Sequence, residues 1–205
     1  MTEETAPQPA PGPTDVPAYR QRGALLVFGL AFALGLTADL LIKYISWQAL
    51  YPSEPDVIFI GPRSIEAIPG YLNFTAVKNY GAALGIGQGM RWLFVIGSLF
   101  AIGLLAYFFA QSGNKRFFQL VLGLLLAGVA GNLYDRVVYG YVRDMFHAFP
   151  HRQWSEFWSS LPDTDVFPWV FNLADMFLCV GVAIVVIFHG VLAPKDEAKP
   201  EAVAA

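Results

Sequence analysis

Hydrophobic positions fall into four long runs, separated by segments where polar and turn-forming residues return. The first extends from about Ala24 to Ile45 and is broken only by Thr37, Asp39 and Lys43. The second runs from Trp92 to Ala110 with Ser98 as its only polar side chain, the third from about Phe117 to Val138, and the fourth from about Trp169 to Leu192. A helix needs about 20 mostly apolar residues to cross a hydrocarbon core of about 30 Å, so each run predicts a transmembrane helix. Between the first two runs, Val57–Ile60 and Leu72–Val77 are short strand-like stretches punctuated by Gly61-Pro62 and Pro69-Gly70. The connection after the third run is rich in aromatic residues (Phe146, Phe149, Trp154, Phe157, Trp158, Phe167, Trp169), as expected of a segment lying at a membrane interface. The expected fold is an all-α membrane protein: four transmembrane helices with a small extracytoplasmic β-sheet in the first outer loop, resting on the bilayer.

The ends of the chain and its basic residues set boundaries and direction. Met1 to Ala18 carries prolines at 7, 9, 11, 13 and 17 with Glu3 and Glu4, the composition of a disordered tail. It is not a cleavable signal peptide, because Arg20 and Arg22 come late and the apolar run is too long. Arg20 and Arg22 precede the first run, Lys115 and Arg116 fill the turn between the second and third, and Lys195 and Lys199 follow the fourth. With four spans these segments share one side, which the excess of lysine and arginine marks as cytoplasmic. The expected organisation is a cytoplasmic tail over 1–22, a membrane domain over 23–193 with outer loops at 46–91 and 139–168, and a second cytoplasmic tail over 194–205.

Composition agrees with this and excludes other classes. Of 205 residues, 56% are hydrophobic and only 14% are charged, against about 25% charged in a soluble globule. Such a chain cannot cover its surface with charge, which rules out a disordered, nucleic-acid-wrapping or disulfide-stapled protein. A net charge of −3 implies no polyanionic partner, and the single cysteine, Cys179, allows no internal disulfide. In an apolar run it reads as packing or lipid-facing filler.

Charged side chains inside lipid are expensive, about 2.5–3.5 kcal/mol for a central Asp, Lys or Arg on insertion scales. The first run holds Asp39 and Lys43, spaced i, i+4 on one helical face; the third holds Asn132, Asp135 and Arg136; the fourth holds Asn172 and Asp175. With the direction above, all seven lie toward the outer leaflet, and the second run, nearly free of polar side chains, reads as scaffold. Ion pairs near a helix end can satisfy one another, and Asn132 can serve as an interhelical hydrogen-bonding residue. Asp175 has no basic residue within a helical turn, so its charge needs a partner on another segment or a proton. Asp144, just past the third run beside Arg143, reads by itself as a solvated loop residue. The convergence of so many polar groups at one depth is what points to function.

Two carboxylates at a partly desolvated site cannot both ionise easily, which yields an acid and a base at the same pH. Such a pair activates water against a peptide carbonyl and protonates the leaving amine without a covalent intermediate. The residues for other hydrolytic routes are missing: there is no Gly-x-Ser-x-Gly elbow, no His-Glu-x-x-His zinc pair and no Walker-type loop. His147 and His151 have i, i+4 spacing, but Phe149-Pro150 discourages a regular helix there, and His189 stands alone near the end of the fourth run. No metal site is expected.

In order along the chain stand Asp39-x-x-x-Lys43, Asn79-Tyr-Gly-Ala-Ala83, Gly131-Asn-Leu-Tyr-Asp-Arg136, Val142-Arg-Asp144 and Phe171-Asn-Leu-Ala-Asp175. Over roughly Ala24 to Leu192 these blocks resemble lipoprotein signal peptidase (signal peptidase II), a bacterial inner-membrane aspartyl peptidase family. The resemblance implies removal of the signal peptide of prolipoproteins, on the amino side of a cysteine already carrying diacylglycerol. It makes Asp144 and Asp175 the catalytic dyad, with Asn132, Arg136 and Asn172 as supporting and substrate-contacting residues. Asn79 would bind substrate backbone or lipid-linked groups, while Asp39, Lys43, Asp135 and Gly81 brace the site and its β-cradle. It further implies no cofactor, contact with membrane phospholipid, no nucleic acid, sensitivity to globomycin-like inhibitors, and both termini in the cytoplasm with the active site toward the outer leaflet.

Departures from the family pattern are Leu84 where an aromatic commonly follows Gly-Ala-Ala, Leu40 where Gln commonly follows the first Asp, and Met145 where Phe commonly follows Asp144. None removes a titrating group. The stretch from Asp144 to Asp175 is longer than in typical members, and its surplus around His151 to Pro168 is expected over the site, either altering access or forming a passive insertion. A proton-coupled transporter would spread its polar residues through the bilayer depth, a presenilin-type protease would carry Gly-x-Gly-Asp, and a non-catalytic scaffold has no need of the recurrent Asn and Asp.

Overall fold

A computed structural model describes residues 16–50, 64–81, 86–150, 152–157, 160 and 164–187. After a single 3-10 turn at Ala18–Arg20 come helix α1 (Arg22–Leu50), strands β1 (Ser64–Ile68) and β2 (Leu72–Asn79), and helices α2 (Arg91–Gln111) and α3 (Arg116–Val138). Strand β3 (Val142–Ala148), a short α4 (Trp154–Phe157), β4 (Val170–Phe171) and α5 (Leu173–Ile187) follow. Helices α1, α2 and α3 are each long and apolar enough to cross a membrane, and α5 is a shorter apolar helix among the described residues. The fourth run was expected to be helical from Trp169, but Val170–Phe171 is strand and the helix begins at Leu173. Its far end, with His189, lies outside the described residues.

Helix α3 is the centre of the bundle and packs against α1, α2 and α5. Lipid offers no hydrophobic reward for helix association, so close contact depends on small residues at the crossing points. A Cβ on Gly123 would meet the Phe28 carbonyl and Ala31 of α1, and one on Gly128 would stand 2.7 Å from the Ala174 carbonyl oxygen of α5. Gly131 lies so close to the Asp39 carboxylate that a Cβ there would collide with it. At Gly128 the obstacle is backbone, which cannot swing aside, and overpacking of this kind costs about 1–3 kcal/mol. Gly128→Ala is therefore expected to lower the thermal unfolding midpoint in detergent, while Gly29→Ala, at a position with open space around it, leaves it unchanged.

The four strands form one antiparallel sheet in the order β1-β2-β3-β4. The sheet was expected within the first connection; β3 and β4 come instead from the second, whose chain was expected only to lie at the interface. The pairing partner of β2 on its outer side is Ser64–Ile68, and the predicted strand Val57–Ile60 falls outside the described residues. Phe74 pairs with Phe146 and Phe146 with Phe171, so three aromatic side chains line up across three strands.

One irregularity in this sheet matters for chemistry. Phe74 is opposite Phe146, but Val77 is opposite Asp144, so β2 spends one residue more than β3 over the same span. A bulge of one residue reverses which face every later side chain occupies. In regular register from Phe74, Lys78 would share a face with Asp144; with the bulge that place belongs to Asn79, opposite Val142.

Candidate active site

The polar residues of the three apolar runs meet at the sheet end of the bundle, and each carboxylate reaches its place through local chain geometry. Helix α3 ends with Gly140 at φ 83°, the left-handed position that glycine commonly supplies just beyond a helix, and the chain turns into β3. There the Arg143 backbone N–H donates to Asp135 Oδ2 (2.9 Å), and its guanidinium donates to Asp135 Oδ1 through Nη2 (2.7 Å) and Nε (3.1 Å). With Arg143 pinned to α3 on one face of the strand, alternation turns Asp144 to the other. Asp144 is buried, although read alone it was expected to be a solvated loop residue. Its Oδ2 accepts from Asn79 Nδ2 (3.0 Å) and its Oδ1 from Asn172 Nδ2 (2.6 Å).

Asp175 is positioned by the start of α5. The Asp175 N–H donates to Asn172 Oδ1 (3.0 Å), and the Asn172 N–H donates to Asp175 Oδ2 (3.2 Å). This reciprocal arrangement satisfies two of the orphan donors that open a helix. Ala174 N–H, a third, donates to Asp39 Oδ1 of α1 (2.9 Å). The other oxygen of Asp175, Oδ1, accepts from Asn132 Nδ2 (2.8 Å).

Asn172 joins the two acids: its amide nitrogen donates to Asp144 while its amide oxygen holds the Asp175 backbone. Asn132 Oδ1 accepts from Lys43 Nζ (3.0 Å) and from Asn172 Nδ2 (3.2 Å). An ammonium has no acceptor, so the Asn132 oxygen must face Lys43 and its N–H must face Asp175. Lys43, fully buried, also forms ion pairs with Asp39 Oδ2 (2.8 Å) and Asp135 Oδ2 (3.5 Å). Arg136 Nη2 donates to Gly81 O (3.0 Å), and the Gly81 N–H donates to Asn79 Oδ1 (2.9 Å), so the guanidinium holds the turn that aims Asn79. All ten residues singled out in the sequence thus belong to one connected group. Leu84 and His151 lie outside the described residues, and His147 sits on β3 away from this group, cross-strand from Asn73 and Val170.

Four carboxylates (Asp39, Asp135, Asp144, Asp175) and three cations (Lys43, Arg136, Arg143) belong to this group, and Lys78 lines the same cleft as Asp144 and Asp175. Asp39 and Asp135 have ion-pair partners; among the described residues Asp144 and Asp175 have none within ion-pair distance. Burial above all, and then the charge of Asp175, pushes the Asp144 carboxyl up to about 7, against the opposing hydrogen bonds from Asn172 and Asn79. The same burial favours the protonated form of Asp144. No group of three or more His, Cys, Asp or Glu that could hold a metal ion is found among the described residues.

The two acids open on a cleft of about 700 Å³. Its polar lining is Asn79, Asp144 and Asp175 together with Lys78 and Gln88, and the rest is apolar. Motif reasoning missed Phe167 and Trp169, which form one wall, and treated Cys179 as filler. Cys179 is exposed and lines the cleft one helical turn beyond Asp175; the i, i+4 spacing was the available signal.

A sequence profile described as signal peptidase (SPase) II matches residues 31–191. The lipoprotein signal peptidase of Halalkalibacterium halodurans is 33% identical over 171 residues, spanning 83% of this chain and 96% of its own. That of Listeria welshimeri is 34% identical over 127 residues, spanning 62% of this chain and 74% of its own. A bacterial membrane enzyme solved by the in meso method at 2.3 Å resolution aligns with a TM-score of 0.60 at 28% identity, over 90% of this chain and 96% of that one. A second such structure, at 1.9 Å resolution, aligns with a TM-score of 0.57 at 28% identity, over 88% of this chain and 99% of that one.

Proposed function

The chain belongs to the signal peptidase II family, multi-pass bacterial membrane peptidases that cleave lipoprotein signal peptides, and from that premise we propose that it works as an aspartic endopeptidase with Asp144 and Asp175 as its dyad. The observation that carries this reading is the pair itself: two acids with no ion-pair partner among the described residues, linked through Asn172, lining one cleft.

In this mechanism the precursor enters laterally from the outer leaflet, and its scissile bond, on the amino side of the diacylglyceryl cysteine, lies between the carboxyls. Asp175, which lines the cleft, takes a proton from the attacking water. Asp144, protonated, supports the carbonyl oxygen as negative charge develops and then gives its proton to the departing amine. The proton taken by Asp175 restores Asp144 after product leaves. Asn79, held by Gly81 and Asp144, binds substrate backbone or lipid-linked groups. Neither metal nor organic cofactor takes part. In this reading both termini are cytoplasmic and the site faces the outer side of the bacterial inner membrane, which the basic residues Arg20, Arg22, Lys115 and Arg116 near the span ends support.

The pH dependence follows from the sign of the Asp144 shift. A carboxyl raised to about 7 holds the catalytic proton below that pH and loses it above. The cleavage rate is expected to fall by about tenfold per pH unit on the alkaline side of about 7, as for any step requiring a protonated acid. A purified enzyme cleaving a lipidated precursor at constant rate from pH 6 to pH 9 would contradict the assignment.

A further inference from the structure

The wall of the cleft formed by Phe167, Pro168 and Trp169 belongs to neither the polar network nor the motifs. It stands where the longer stretch between Asp144 and Asp175 returns to the sheet, and its position is fixed from both sides. On the far side the stretch is closed on itself. The Val166 N–H donates to Arg152 O (2.7 Å), the Trp154 N–H donates to Thr164 O (3.0 Å), and Gln153 bridges Asp165 between them. An ion pair from Arg152 to Glu156 (2.7 Å) braces the same base. On the near side the Phe167 ring meets Trp169 edge-on (5.3 Å) and Phe171 (5.6 Å); Phe171 then meets Phe146 (5.8 Å), and Phe146 meets Phe74 (5.5 Å). The wall is thus the end of an aromatic row that crosses three strands.

Held in this way, Trp169 is still 41% exposed. Met176 and Val180 of α5 line the same cleft. The cavity therefore offers hydrogen-bonding groups at the carboxyl end and an aromatic-aliphatic slot directly beside them. That division suits a ligand whose reacting peptide bond adjoins a bulky apolar group.

Resting on the function proposed above, we propose that Phe167 and Trp169 form an apolar subsite, carried by the extended connection, that binds the apolar group next to the scissile bond and sets which precursors are accepted. Two sources supply such a group in a lipidated precursor: the acyl chains on the glyceryl cysteine, and apolar side chains of the signal peptide just before it.

The test uses the full-length protein purified in detergent and synthetic diacylglyceryl-modified precursor. For Trp169→Ala, KM is expected to rise by about tenfold or more with kcat within about twofold, the signature of lost ground-state binding; Trp169→Phe should recover most of it. Trp169 is partly exposed at the end of the row, where its ring meets the edge of Phe167, so the variant should keep the wild-type unfolding midpoint, and Phe167→Leu provides a second variant with the same expected signature. If the acyl chains fill the slot, shortening them shrinks the penalty of Trp169→Ala; if signal-peptide side chains fill it, replacing those with alanine does so. An unchanged KM, a fall in kcat with KM constant, or a penalty indifferent to both precursor series would overturn the proposal. Failure of the wild-type protein to cleave any lipidated precursor would instead strike the proposed function.

Discussion

Asp144→Asn and Asp175→Asn are each expected to reduce cleavage of a lipidated precursor by about 10³-fold, roughly 4 kcal/mol of barrier, at nearly unchanged KM. Neither amide can shuttle the proton, and loss of either partner also ends the sharing that makes the other useful. Stability should move differently. The Asp144 carboxyl is raised in the folded state to about 7, above its unfolded value of about 3.9. Between those values the folded chain binds more protons than the unfolded chain, so stability falls as pH rises through the window. Asparagine carries no such burden, and Asp144→Asn should be at least as stable as the wild type at pH 8 while nearly inactive. Thermal unfolding and single-turnover cleavage on the same preparation check both statements. A variant retaining more than about a tenth of wild-type kcat would remove its residue from the dyad.

Lys43→Met should be the most destabilising single change outside the dyad. Lys43 is completely buried, and Asp39, Asp135 and Asn132 surround its ammonium. Breaking a buried pair leaves an uncompensated charge and costs about 3–5 kcal/mol, whereas removing both partners is often close to neutral. Asp39→Asn in the same chain keeps an oxygen for the Ala174 N–H and removes the stranded charge, so the double variant should regain most of the lost stability. It should not regain activity. Without the ammonium, Asn132 Oδ1 retains only the Asn172 donor, and the N–H directed at Asp175 loses its strongest orienting force. Denaturation in detergent and kcat for the single and double variants measure this; a double variant with wild-type kcat would show that Lys43 only supports the fold.

Much of this was legible in the sequence because lipid makes polar residues conspicuous. Asp39, Lys43, Asn132, Asp135, Arg136, Asn172 and Asp175 each interrupt an apolar run, and runs read as spanning one bilayer are expected to bring groups of equal depth to one level. The structure joins all seven. Strand register has no comparable signal. The one-residue bulge between Phe74 and Val77 that turns Asn79 toward Asp144 leaves no mark in the composition of β2. Asp144 itself follows a charged neighbour in a connection, and its burial depends on β3 pairing with β2 across more than sixty residues of chain, a contact that local pattern does not encode. The block Val142-Arg-Asp144 drew attention only through its resemblance to a family. The same reason hid Phe167 and Trp169: aromatic residues in a membrane-adjacent connection read as interfacial anchors until the sheet shows them standing beside two carboxyls.

The most direct test is mass analysis of the products when the purified protein meets a diacylglyceryl-modified precursor and its unmodified counterpart. The account predicts one cut, releasing the signal peptide and leaving diacylglyceryl cysteine as the new amino terminus, with the unmodified peptide left intact. Cleavage at another bond, or equal cleavage of both peptides, would contradict it.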